Sequence, residues 1–168
     1  MFGATAHVRG QLRIYTAPAV LLNHVEWAIR QVISESTHHF NELWKPMDAG
    51  NFGIEVNWQC QKSKSIDLVN RLKIWKLLRF EISEFNQNNA VLYRATPDLG
   101  LHQANLDLHG NIVIEENKIK QCIETSFSQQ KLISNLESAI GVAWDTELEP
   151  FRIAWSQRAA RKPDKISV

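Results

Sequence analysis

Val8-Arg9-Gly10-Gln11-Leu12-Arg13-Ile14-Tyr15, followed shortly by Leu21-Leu22-Asn23-His24-Val25-Glu26-Trp27-Ala28-Ile29-Arg30-Gln31-Val32-Ile33, is the stretch that decides the fold. In the first segment Val8, Gly10, Leu12 and Ile14 fall on one face and mostly polar or charged groups on the other, which is the alternation of a half-buried strand. In the second, Leu21, Leu22, Val25, Ala28, Ile29, Val32 and Ile33 recur at the spacing of a single helical stripe. Pro18 stands between them and suits a first helical position, so the helix is expected to open there.

Working outward, Ser36 to Trp44 reads as a weaker strand ending near Lys45-Pro46, and Met47 to Asn51 as a turn. Phe52, Ile54, Val56 and Trp58 alternate with Gly53, Glu55, Asn57 and Gln59 as a strong strand. A second helix is expected over residues 65–76, carrying Ile66, Leu68, Val69, Leu72 and Trp75. Leu78, Phe80 and Ile82 then alternate with Arg79, Glu81 and Ser83. The order is β-α-β-β-α-β. It predicts an α+β protein with a ferredoxin-like first half over residues 1–85, both helices lying on one side of a four-stranded antiparallel sheet.

After a polar stretch at Glu84–Asn89, residues 90–155 read as a β-hairpin plus helical extension packed on the first half, one structural unit with it. Val91–Ala95 is a short strand. Leu101–Leu108 and Ile112–Ile114 flank a turn at His109-Gly110-Asn111. Helices are expected over residues 116–125 and from Ser128 through Trp144, and Phe151, Ile153 and Trp155 alternate as a last strand. Residues 156–168, with Arg158, Arg161, Lys162 and Lys165, read as a basic, flexible tail.

The formal net charge of +1 leaves no global field for nucleic acid or an anionic membrane, and no apolar run is long enough to cross one. An RNA-recognition module needs stacking aromatics on its third strand, where Ile54 and Glu55 stand instead. The start shows no secretory signal, and Cys60 and Cys122 sit far apart and read as reduced residues of a cytoplasmic protein, with a disulfide between them left open by the sequence. No nucleophile elbow, phosphate loop, dinucleotide fingerprint or zinc-protease helix occurs, so no motif assigns a reaction.

Several motifs together resemble a known family: His24-Val25-Glu26-Trp27-Ala28, Leu78-Arg79-Phe80-Glu81-Ile82, Thr96-Pro97 with Leu99-Gly100, Asp107 with His109-Gly110-Asn111, and Ala143-Trp144-Asp145 with Glu147-Leu148-Glu149-Pro150-Phe151-Arg152. They are similar, in the same order from Gly10 to Arg152, to the actinobacterial family catalogued as domain of unknown function 3145. Lys62–Ser65 departs from the family pattern, which is richer in glycine there, and Glu115-Glu116 stands where a proline is expected. The resemblance carries no catalytic residue. It implies an intracellular bacterial protein whose relatives are encoded near type II fatty-acid synthesis genes.

Candidate functional residues follow. Trp27, with His24 on the same helix, falls away from the apolar stripe. Either the second half packs over this helix and buries Trp27, which is the expectation, or Trp27 anchors a partner. Asp107 and His109 share a strand face and form a possible acid–base pair; an Asp before His-Gly-Asn more often caps its own turn. Asp145, Glu147 and Glu149 would share a face if extended and could then hold a hard cation; as a loop they make a solvated edge with Arg152 as ion-pair partner, the favoured reading. The doublet His38-His39 lacks a third ligand and reads as surface. No cofactor and no metal are expected. The reading that results is a non-catalytic domain binding a protein partner or small ligand, with self-association as a homo-oligomer allowed. An enzyme using Asp107 and His109 with the acidic segment is the alternative.

Overall fold

In the computed structural model, residues 7–34 and 40–160 are described. The elements are β1 (Val8–Pro18), α1 (Leu22–Val32), α2 (Phe40–Leu43), β2 (Lys45–Pro46), β3 (Asn51–Cys60), α3 (Ser65–Leu72), β4 (Arg79–Phe85), β5 (Ala90–Thr96), β6 (Gly100–Leu106), β7 (Ile112–Val113), α4 (Glu116–Glu124), α5 (Gln129–Ile140) and α6 (Val142–Ala160). The fold is α+β. One seven-stranded sheet runs in the order β2-β3-β1-β4-β5-β6-β7, and every pairing is antiparallel.

The alternation in β1, β3 and β4 sends Leu12, Ile14, Ile54, Val56, Phe80 and Ile82 to one face of the sheet. There they meet Val25, Ile29 and Val32 of α1 and Leu68, Val69 and Leu72 of α3 in one buried cluster. The two amphipathic helices therefore share a side of the sheet. Each such side chain contributes roughly 1.5–3 kcal/mol on burial, so this face carries most of the hydrophobic stabilisation. A bulge in β1 between Ile14 and Ala17 inserts a residue into the ladder. It lets Ala17 rejoin the same cluster as Ile14 despite odd spacing.

Glu84 ends the buried run of β4. Its carboxylate accepts from the backbone N–H of Lys64 at 2.8 Å and of Ser65 at 3.1 Å, from the Ser65 hydroxyl at 2.9 Å and from Trp58 Nε1 at 3.2 Å. An acid from a distant strand thus satisfies the open N–H groups at the start of α3, which has no side-chain cap of its own.

Several expectations are corrected. Thr16-Ala17-Pro18 continues β1 and pairs with β3 and β4; the chain turns helical directly after Pro18, in a 3-10 turn over Ala19–Leu21 that leads into α1 at Leu22. The strand expected over Ser36–Trp44 is not formed where it is described: residues 40–43 make a helical turn, only Lys45 and Pro46 pair with β3, and the remainder, His38 and His39 included, falls outside the described residues. Asp145–Glu149 is neither loop nor extended strand, and residues 151–155 are not a strand: both lie in α6, a helix of 19 residues that runs through Pro150. The tail expected to fray from Ser156 stays helical to Ala160, and residues beyond lie outside those described.

Helix α6 lies across the opposite face of the sheet. Leu148, Phe151 and Trp155 recur at helical spacing and pack on Tyr15 and Met47. At Gly53 the approach is close: a β-carbon there would stand 2.8 Å from the Trp155 ring and 2.9 Å from the Ile14 carbonyl oxygen, so a larger residue would force the helix to shift. The second half therefore does not cover α1 as expected. It covers the reverse of the sheet, and Trp27 stays 59% exposed.

Candidate functional site

The second face of the sheet presents charged side chains from β4 and β5, and α6 answers them. Arg94 is fully buried at 0% exposure. Its Nη1 lies 2.7 Å from Asp145, and its Nη2 donates to the carbonyl oxygen of Ile140 at 2.6 Å. Burial opposes ionisation of Asp145, but Arg94 and Arg152 outweigh it and hold the carboxyl below its ordinary value. Arg152 also donates to Glu81, with its Nε 3.1 Å from Oε2, and to Glu149 at 3.3 Å. Tyr15 gives its hydroxyl to Glu81 at 2.5 Å. Burial first, and then the Glu81 charge, push the Tyr15 phenol far up, so it remains a donor. Glu147 points elsewhere, accepting from Thr96 at 2.7 Å and pairing with Arg79 at 3.3 Å.

His102, on β6, is held at both ring nitrogens. Its Nδ1 lies 3.1 Å from Arg94 Nη2, which can only donate, so Nδ1 accepts. Its Nε2 lies 3.2 Å from the carbonyl oxygen of Ala139, so Nε2 carries the proton. Burial and the adjacent Arg94 lower its pKa, in keeping with a neutral ring. Trp144 lies beside it, ring centroids 4.8 Å apart, and ties α6 to the sheet by donating to the carbonyl of Gly100 at 3.0 Å. These groups are held chiefly by one another, with Arg94 Nε left without a hydrogen bond among the described residues, and the layer acts as a polar clamp between sheet and helix.

The structure separates the residues singled out from sequence. Asp145, Glu149 and Arg152 meet, because a helix brings positions four and seven apart to one side. Glu147 leaves that set for the same reason. Asp107 lies at the far end of β6, where its carboxylate accepts from the N–H of His109 at 2.8 Å and of Asn111 at 2.9 Å and so closes its own turn. Thr96, which holds Glu147, pairs with Gly100 at the near end. The length of β6 lies between them, about 20 Å at roughly 3.3 Å per residue. Asp107 and His109 thus share no pocket with the acidic residues of α6. Among the described residues no three His, Cys, Asp or Glu side chains converge to hold a metal. No helix among them is long and apolar enough to cross a membrane.

Trp27 and His24 both lie open on α1, and Glu26 and Arg30 pair at 2.9 Å on the same helix. A separate groove of about 560 Å³ lies between the outer edge of β6 and helices α4 and α5. Sequence reasoning missed both the groove and Arg94. The signal for Arg94 was a lone cation within the strand Val91–Thr96, whose neighbours are otherwise uncharged.

No curated protein and no solved structure matches this sequence. The family described as Protein of unknown function (DUF3145) matches residues 11–162, nearly the whole of the sheet and its helices. The chain belongs to that family.

Proposed function

We propose that this protein is a non-catalytic binding domain whose partner is another protein, docked on α1 at Trp27. The observation that carries this reading is the exposure of Trp27, 59%, on a helix whose opposite side is fully engaged in the core. A large aromatic left in water is unfavourable, and tryptophan is the residue most enriched among interface anchors. Its surroundings, His24 and the Glu26–Arg30 pair, supply the polar rim of such a contact. Free cysteines at Cys60 and Cys122 support a reducing, cytoplasmic setting. The resemblance to a family encoded near type II fatty-acid synthesis genes puts acyl-carrier and fatty-acid synthesis proteins first among partners to test.

Trp27→Ala removes the anchor without opening the core. Native pull-down with mass spectrometry should recover a specific partner with the wild type, and the variant should lose it while its thermal unfolding stays unchanged. Equal recovery by both proteins would reject the reading.

A further inference from the structure

We infer that the groove beside β6 takes an extended segment of a partner protein, which adds to the sheet as a new strand antiparallel to β6. The hydrogen-bond pattern of the β6–β7 hairpin carries the inference. Asp107 N–H donates to the carbonyl of Asn111 at 2.8 Å, and Gly110 N–H donates to the carbonyl of Asp107 at 3.1 Å, so the backbone of Asp107 faces β7. In an antiparallel strand every second residue faces the same way. Asn105, Gln103 and Leu101 therefore turn their N–H and C=O groups outward from β5. Val113 meets Asn105, and there β7 ends. Among the described residues no strand faces Gln103 or Leu101, and both residues are exposed. Two donor–acceptor pairs of a sheet edge are left open.

That open edge forms one wall of the groove. The other wall is built from Gln121 on α4 and Asn135 and Ser138 on α5. Amide and hydroxyl side chains there suit the second edge of an incoming main chain. The lining carries one acid, Glu115, and one base, Lys118, while His102 is neutral, so the charges cancel. This composition matches an uncharged peptide backbone better than a phosphate or a carboxylate ligand. The incoming strand would continue the line of β7, whose pairing shows that this edge already accepts a strand in that direction.

The site is independent of Trp27, and the test keeps the two apart. A display library of short random peptides is panned on the full chain, and the enriched peptides are followed by amide hydrogen exchange. The expected result is enriched peptides that slow exchange at Leu101 and Gln103. Gln103→Pro removes one outward N–H and spares the ladder to β5, so it should fold and bind these peptides at least about tenfold more weakly. Ser138→Arg fills the groove from the opposite wall and should do the same, which decides the matter if the proline variant is unstable. Trp27→Ala should bind them as the wild type does. The inference is overturned if no peptide is enriched, if the peptides leave both amides unprotected, or if a folded groove variant binds them with unchanged affinity.

Discussion

Arg94, at the middle of β5, donates to the carbonyl oxygen of Ile140, the last residue of α5, at 2.6 Å. A buried cation thereby caps the negative end of a helix. The chain turns immediately afterwards at Gly141, with φ +83°, and α6 begins. One side chain thus fixes where α5 stops, while its Nη1 holds Asp145 in the first turn of α6.

Gly141 meets two demands at once. Its left-handed backbone favours glycine, and a β-carbon there would overlap Arg94 and His102. Gly110 has a similar φ of +89° but open space around it. Gly110→Ala should therefore cost about 1 kcal/mol for the backbone alone. Gly141→Ala should cost clearly more, because the clamp must shift. Urea unfolding of the two variants measures the difference.

Arg94→Met should leave the Ile140 carbonyl without its donor and Asp145 with Arg152 as its remaining cation. Loss of one partner from a buried pair costs roughly 3–5 kcal/mol, and the lower end is expected because Asp145 is partly solvated. Adding Asp145→Leu should restore part of the loss. Chemical denaturation of the single and double variants checks both statements.

His102 makes stability fall on the acid side. Its folded pKa lies below the ordinary 6.5, so protonation favours the unfolded chain. Its contribution is complete above pH 6.5 and declines as pH drops from there towards the folded value. Asp145 and Glu55, both lowered, add a second decline beginning near their ordinary values of 3.8 and 4.5. Unfolding free energy measured against pH should show the two stages, and His102→Gln should flatten the first while keeping the second.

The misreading of α6 shows where sequence reasoning gave way. Pro150 signalled a loop, and Phe151, Ile153 and Trp155 alternated as a strand would. Yet Ile153 is exposed while Leu148 and Trp155 are buried, which is helical spacing. A proline inside a helix loses one hydrogen bond and strains the preceding turn, at a cost of about 3 kcal/mol. Here α6 lies clamped to the sheet by Arg79, Arg94 and Glu81, contacts that offset that cost and are invisible in a local window.

The sequence by itself determined β1, α1, β3, α3, β4 and the placing of both helices on one side of the sheet, because each of those elements writes its buried face into its own periodicity. It also determined the Asp107 turn, whose hydrogen bonds span only four residues. Only the tertiary structure decided which face α6 would cover, and hence that Trp27 stays open and that Asp145 meets Arg94 while Glu147 turns to Arg79. The physical reason is that these are pairings between charges distant in the chain, made on a face with few apolar groups to mark it.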